Sequence, residues 1–131
     1  MTLLENLPDA VWTEKGGACW MDCKDRSVRD IAKAMQDVHA RFITITASQL
    51  LANSGFRLEY HWDLEGQLLG FQFVIPGNSI ESIYDICEAA DWIEREIFEG
   101  FVIDFTKRTY EPLQLRPGQT PGVNLREEVA R

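Results

Sequence analysis

The sequence has no long hydrophobic run and no cluster of basic residues. Its longest uncharged runs, residues 42–56 and 66–80, are shorter than the roughly 20 apolar residues that a membrane-spanning helix needs. The chain carries 13 Lys and Arg against 21 Asp and Glu, which gives a net charge of −8. Without a basic patch, this charge opposes binding to nucleic acid or to anionic lipid. We therefore expect no nucleic-acid partner and no direct contact with a membrane.

Cysteine is also scarce, with three in 131 residues and no Cys-x-x-Cys motif. An odd count favours reduced thiols in the cytoplasm. Cys19 and Cys23 would lie about 13 Å apart in a strand, which is too far to share a metal ion, so we expect them to be buried as small apolar side chains. The opening MTLLENLPDAVW has no basic segment ahead of a hydrophobic one, which is unlike a secretory signal and favours a location inside the cell.

The usual signs of nucleophilic catalysis and phosphate binding are missing too. The chain has two histidines, His39 and His61, and no G-x-S-x-G nucleophile motif. Gly16-Gly17 precedes a predicted strand instead of a helix, so it lacks the geometry that holds a phosphate. We predict no catalytic residue, no cofactor-binding residue and no metal ligand in this chain.

The residues that are present predict an α+β fold. Gly16-Gly17 lies between two β-prone runs and predicts a hairpin. Residues 27–40 place Val28, Ile31 and Met35 on one helical face, behind a Ser27 cap. A length of 131 residues with 45% hydrophobic side chains suits one packed core.

Residues 56–63 alternate apolar and polar side chains, and after the turn at 64–66 the apolar Leu69, Phe71, Phe73 and Ile75 repeat at two-residue spacing. Because such local connections favour antiparallel pairing, we predict a mostly antiparallel sheet with helices packed on one face. The domain should span residues 1–107. Residues 108–131, which contain Pro112, Pro117 and Pro121, should form an extended tail that docks on a partner.

Glu59, His61 and Asp63 are the best candidates for a metal or acid–base site. They would lie on one side of a strand at intervals of about 7 Å, so neighbouring pairs could reach one ion. The polar face of any half-buried sheet has the same pattern, and that interpretation is the simpler one.

Residues 90–105, ADWIEREIFEGFVIDF, mix charge and aromatic side chains on both faces of a predicted helix. Ile93 and Ile97 continue an apolar stripe through Ile80, Ile83, Cys87 and Ala90, which predicts helical packing on the sheet. Glu94 falls on that apolar side, while Trp92 falls among charges, with Asp91 and Arg95 at pairing distance. Either Glu94 reaches out to solvent and Trp92 lies under Arg95, or the helix has a second packed surface.

This segment, with Ser82 and Ile83 before it, resembles the signature of the thirty-kilodalton subunit family of proton-pumping NADH:quinone oxidoreductase and of related membrane-bound nickel-iron hydrogenases. The matching positions are Trp92, Glu94, Arg95, Glu96, Phe98, Glu99, Phe101, Ile103 and Phe105. The similarity covers residues 40–131, through LEYHWD and the tail. Gly100, Val102 and Lys107-Arg108-Thr109 depart from the signature, which has Leu or Met, Gly and Gly-His-Pro there.

The resemblance implies a subunit without its own cofactor, peripheral to the inner membrane, that supports electron transfer coupled to ion pumping. It implies packing against the large catalytic subunit, with an iron–sulfur subunit nearby. The short chain and altered motif are more similar to the counterpart in energy-converting hydrogenases. The partner interface would consist of Trp92, Glu94, Arg95, Glu96, Phe98, Glu99 and Phe101. The alternatives are a stand-alone ligand-binding or regulatory module and a small metalloenzyme built on Glu59, His61 and Asp63.

Overall fold

The computed structural model describes residues 11–24, 26–50 and 55–108 and has an α+β fold, as predicted. Within these ranges no helix is long and apolar enough to cross a lipid bilayer. The tail predicted for residues 108–131 lies, after Arg108, outside the described residues. The elements in chain order are β1 (Thr13–Lys15), β2 (Ala18–Asp22), α1 (Val28–Asp37), β3 (Arg41–Gln49), β4 (Phe56–Leu64), β5 (Gln67–Ile75), β6 (Ser79–Glu81), a 3-10 turn (Glu88–Ala90), α2 (Asp91–Phe101) and β7 (Asp104–Thr106).

Five strands form one mixed sheet in the order β1-β2-β5-β4-β3. The pairs joined by short connections, β1–β2, β3–β4 and β4–β5, are antiparallel. The prediction of a mostly antiparallel sheet is therefore confirmed. The β2–β5 pair is the parallel one, because a crossover that contains α1 separates these strands and removes the constraint of a hairpin.

Both predicted hairpins are present, and each turns on residues with positive φ. Gly16 and Gly17 have φ of 61° and 81°, and Glu65 and Gly66 have φ of 51° and 91°. Two consecutive positive φ angles are the requirement of the tight turn that matches strand twist. The turns fix the register, so the apolar residues of β4 face those of β5 across the strand pair, as in Trp62 opposite Leu69.

One face of the sheet is buried and both helices pack against it, as the alternating sequence predicts. On β4, Phe56, Leu58, Tyr60 and Trp62 are at most 5% exposed. Aromatic rings meet edge to face in this core, with a centroid distance of 5.6 Å between Trp62 and Phe71, a favoured arrangement of π-systems. Helix α1 buries Val28, Ile31, Ala32, Ala34 and Met35 in the same core.

Helix α1 has a defined cap at each end. The hydroxyl of Ser27 accepts a hydrogen bond from the N–H of Arg29 at 3.2 Å, so Ser27 is the predicted N-cap. At the other end, the N–H of Ala40 donates to the carbonyl of Met35 at 3.0 Å, and His39 has φ of 59°. These features form a Schellman motif. His39 thus has a structural role at the end of α1.

The predicted helical stripe through Ile80, Ile83, Cys87 and Ala90 is wrong as secondary structure, because α2 begins only at Asp91. Ile80 lies in β6, which pairs in parallel with β7. Ile83 and Ala90 are nevertheless fully buried. The apolar spacing therefore predicted burial correctly. The backbone conformation was decided by the pairing of β6 with the distant strand β7, and local periodicity gives no information about that contact.

Helix α2 ends at a strained position. Val102 has φ of 57°, in the left-handed region, and its N–H donates to the carbonyl of Phe98 at 2.9 Å. A β-branched residue rarely adopts this conformation, whereas glycine does so without steric cost. The signature that this segment resembles has glycine here, so the geometry explains that preference.

Candidate functional site

The two sides of α2 differ sharply in exposure. Trp92 is 53% exposed and is the most exposed of the large apolar side chains on the helix, while Glu94 is completely buried. The alternative in which Glu94 reaches out to solvent is therefore wrong. A buried carboxylate needs hydrogen bonds and an opposite charge to compensate for its lost hydration, and the chain supplies both.

The carboxylate of Glu94 is bound through both oxygens. The Ser82 hydroxyl donates to Oε1 at 2.6 Å, and the backbone N–H of Ile83 donates to Oε2 at 2.9 Å. Arg108 adds its guanidinium at 2.9 Å from Oε1. Burial raises the pKa of the Glu94 carboxyl, and the bonds from Ser82, Ile83 and Arg108 oppose that shift.

Arg108 connects this carboxylate to the start of α2. Its side chain is 6% exposed and also pairs with Asp91. Its guanidinium carbon lies 5.0 Å from the centroid of the Tyr84 ring, a cation–π distance. Asp91 in turn binds Arg95 at 3.3 Å, so the predicted Asp91–Arg95 pair is confirmed. We call Asp91, Glu94, Arg95 and Arg108 the ion-pair cluster.

A second group of contacts ties this cluster to α1. Arg29 binds Asp85 through two hydrogen bonds of 2.7 and 2.8 Å, and donates to the carbonyl of Ser82 at 2.8 Å. The hydrogen bond from Arg29 lowers the pKa of Asp85 to about 2. Lys107 pairs with Glu81 at 3.3 Å. The loop that holds Glu94 is therefore fixed to α1 on one side and to β7 on the other.

The seven residues predicted to form a partner interface lie at three depths. Trp92 is exposed, Arg95, Glu96, Phe98 and Phe101 are half-buried, and Glu94 and Glu99 are buried. Glu94 binds an arginine of its own chain, so it is occupied inside the domain. The surface that another protein could touch is thus Trp92 with the half-buried side chains around it, and the buried carboxylates support that surface.

Arg95 has an unusual feature inside this surface. Its side chain is 18% exposed, and its Nε is buried with no hydrogen-bond acceptor among the described residues. An unsatisfied buried donor costs about 1–3 kcal/mol. Such a donor is a candidate for a contact that forms only when the surface is covered.

Glu59, His61 and Asp63 lie on the open face of the sheet, as predicted, but do not converge. Asp63 pairs with Arg41 at 3.5 Å and accepts the N–H of Gly66 at 3.1 Å, so it supports the hairpin turn. His61 meets the Trp20 ring edge to face at 5.4 Å. Burial lowers the pKa of His61, and Glu59 opposes that shift. Within the described residues, no three His, Cys, Asp or Glu side chains are grouped to hold a metal.

The same open face has a shallow hollow of about 750 Å³ beside Trp20 and His61. The indole of Trp20 covers Gly70, where a Cβ would lie 2.4 Å from the ring. Glycine is therefore required at this position for close approach of the ring. The hollow is wide and open rather than a cleft that encloses a ligand.

The cysteines are structural, as expected. Cys19 and Cys23 are 6% and 3% exposed in the core. Burial raises the pKa of Cys23 to about 12, so its thiol stays protonated at neutral pH.

Sequence reasoning missed Arg108, Arg29 and Asp85 as members of this site. Glu94 on an apolar helical face signals a buried partner. Local spacing does not identify which arginine is that partner, because Arg108 lies after β7, well separated from Glu94 in the sequence.

The fold and the site define an α+β domain in which a buried ion-pair cluster fixes one helix, with Trp92 exposed beside it. The chain belongs to the family described as the 30 Kd subunit of respiratory-chain NADH dehydrogenase, whose sequence profile matches residues 21–130. The resemblance drawn from the α2 signature is thereby confirmed. No curated protein sequence matches the chain.

Solved structures that share this fold include the following two chains. One is a chain of the membrane-bound sulfane sulfur reductase, an archaeal respiratory membrane complex, with a TM-score of 0.77 and 20% identity over 91% of this chain and 75% of that one. The other is the trypsin-resistant fragment (1–134) of Nqo5, with a TM-score of 0.64 and 17% identity over 76% of this chain and 88% of that one.

Proposed function

We propose that this protein is a non-catalytic subunit in the peripheral arm of a membrane-bound oxidoreductase, of the energy-converting hydrogenase or NADH:quinone oxidoreductase type. It packs against the large catalytic subunit, beside an iron–sulfur subunit, and supports electron transfer coupled to ion pumping. The observation that carries the proposal is the family match over residues 21–130, which includes all of α2. Its attachment to the membrane is indirect, through the complex.

The geometry of α2 supports a docking role for its outer side. Trp92 is exposed while the residues on either side of it, Asp91 and Ile93, are half-buried. Tryptophan and arginine are the side chains most enriched at energetically important interface positions. A partner carboxylate or carbonyl would also give Arg95 the acceptor that its buried Nε lacks within the described residues. Glu94 is buried, whereas Glu96 is partly exposed, so Glu96 is the glutamate that can meet a partner arginine.

The buried half of the site has a different role in this proposal. Glu94 holds Arg108, the Ser82 hydroxyl and the backbone N–H of Ile83, and Arg108 holds Asp91. These bonds fix the first turn of α2 and therefore the direction in which Trp92 points. They also fix Arg108 in place, and we propose that the tail that follows it, residues 109–131, docks along the same partner.

Affinity purification of the tagged chain from native membranes tests the proposal. Trp92→Ala and Arg95→Ala should each leave the domain folded and reduce recovery of the large subunit at least about 30-fold, the effect of losing a hot-spot residue of roughly 2 kcal/mol. Leu68→Ala, at 45% exposure on the sheet, is a control that should not change recovery.

Normal assembly of both α2 variants would contradict the docking surface. Recovery of the chain alone, fully functional and without partner subunits, would contradict the proposed function and favour a stand-alone binding module.

A further inference from the structure

The two outer strands of the sheet differ in how they protect their free backbone groups. β1 has three residues, Thr13–Lys15, of which two are charged, and it ends at Gly16. Short, charged edge strands are a common protection against pairing with another chain. β3 has nine residues, Arg41–Gln49, with no proline and no charge after Arg41. Its β-branched composition favours strand pairing, so this edge is unprotected.

The outer side of β3 has free hydrogen-bonding capacity. The strand pairs with β4 along one side, and no other main-chain hydrogen bond of residues 41–48 occurs in the parts of the chain that the structure describes. In an antiparallel pair, alternate residues direct their N–H and C=O groups away from the neighbour. About half of these groups therefore point outward, and a buried one without a partner costs free energy.

Helix α2 lies over this edge. Among the strands of the sheet, α2 packs most closely against β3. A helix with its side chains is about 10 Å wide, and neighbouring strands are about 4.8 Å apart. A helix above the outermost strand therefore also extends over the position of a next strand. A strand added beside β3 would therefore lie partly under α2.

We propose that an extended strand of a partner subunit adds to the outer edge of β3 and enlarges the sheet from five strands to six. This inference rests on the proposed function, because it takes the added strand from the same complex. The edge supplies backbone hydrogen bonds to any extended segment, and the side chains around it select the sequence.

The faces of β3 define the chemistry of the added strand. Thr44, Thr46 and Ser48 lie opposite the polar residues of β4, on the open face. Ile45 and Ala47 lie opposite Tyr60 and Leu58, on the core side. A matching strand alternates polar side chains on the open face with apolar side chains under α2, and contains no proline.

Hydrogen exchange of the full chain, alone and in its purified complex, tests the proposal. In the isolated chain, alternate amides of residues 41–48 should exchange rapidly because they have no acceptor. In the complex they should exchange at least about 100-fold more slowly, since a sheet hydrogen bond opens only with local unfolding. A complex that forms with unchanged exchange in β3 would overturn the added strand and leave the proposed function intact.

Two adjacent lysine substitutions provide a matched pair. Ala47→Lys places a charge on the core side, where an added strand would trap it under α2, so assembly should weaken at least tenfold. Thr46→Lys places the same charge on the open face, where it stays hydrated, so assembly should change less than threefold. The thermal midpoint of each isolated variant verifies that it is folded. Equal effects of the two substitutions would overturn the proposal.

Other occupants of the edge give different results, and each overturns the proposal. Slow exchange of β3 in an isolated chain that has the mass of a dimer would assign the edge to a second copy. Slow exchange in an isolated monomer that becomes fast on deletion of residues 109–131 would assign it to the chain's own tail. Absence of any complex would overturn the proposed function as well.

Discussion

The five-stranded sheet and the segment from β6 to Arg108 share one core but are held by different forces. The inner face of the sheet is almost wholly apolar, with the ring of Trp62 in contact with those of Tyr60 and Phe71. In the second region the fully buried side chains include Glu94 and Ser82. That region adds to its apolar side chains, such as Ile83 and Phe105, a set of directional bonds centred on Arg108.

The difference has consequences for tolerance to change. Apolar packing is non-directional, so the sheet depends on volume and shape. The buried Glu94–Arg108 pair depends on both members being present, because removal of one charge leaves the other buried and less compensated. We therefore expect losses in the sheet to scale with the volume removed and losses in the cluster to be reversed by removing the partner as well.

The largest expected effect is in the sheet. Trp62 is 2% exposed, and Trp62→Ala should lower the free energy of unfolding by about 4 kcal/mol, because a large cavity opens among rings that cannot close it. Urea denaturation followed by circular dichroism measures this loss. The exposed Trp92→Ala serves as control and should cost less than about 0.5 kcal/mol.

The next effect tests the cluster. Glu94→Ala should lower the free energy of unfolding by about 3 kcal/mol, since it leaves the guanidinium of Arg108 buried with one carboxylate fewer. Glu94→Leu combined with Arg108→Leu should recover at least half of that loss. Denaturation of the single and double variants gives the coupling energy. Purely additive losses in the double variant would show that Glu94 and Arg108 do not stabilise the fold as a coupled pair.

A smaller effect, of opposite sign, concerns the end of α2. Val102→Gly should raise the free energy of unfolding by about 1 kcal/mol, because glycine adopts the left-handed conformation without steric cost. Val74→Gly, within β5, should instead lower it by a similar amount. Thermal and urea denaturation measure the change in the free energy of unfolding of each variant. A loss of stability in Val102→Gly would mean that packing of the valine outweighs its strain.

The smallest effect concerns pH. The pKa of Asp85 is lowered to about 2 by Arg29, so its contribution to stability is full above its ordinary pKa and is lost as pH falls toward 2. The pKa of Glu94 is raised by burial, so its protonation favours the folded state and its contribution has the opposite sign. Asp85→Asn should therefore reduce the loss of stability between pH 4 and pH 2, measured by urea titration at each pH. If the free energy of unfolding of Asp85→Asn fell with pH as steeply as that of the unmodified chain, Asp85 would be excluded as a source of acid lability.

The sequence predicted the sheet region well because its signals are local. Alternation along β4 fixed which residues are buried, and paired positive-φ residues fixed the two hairpins. Ser27 and the apolar face of α1 were also visible in a short window. The α2 signature identified the family because it preserves residue types at fixed spacing.

The second region could not be predicted in the same way. Ile80 and Ile83 fit a helical period, yet β6 pairs with β7 and the helix begins later. Glu94 was located on the apolar side of α2, but its partners Ser82, Ile83 and Arg108 come from other parts of the chain. The proposed interface residues remain a prediction, because contact with another chain lies beyond any single sequence.

The sequence by itself determined the strands and hairpin turns of the five-stranded sheet and the apolar face of its main elements, since these follow from the conformational preferences of neighbouring residues. Only the tertiary structure decided that Glu94 turns inward, that Arg108 binds it, and that β3 lies at an unprotected edge beside α2. The physical reason is that burial of a charge and exposure of a strand edge depend on which distant segments pack together, and sequence spacing does not specify that choice.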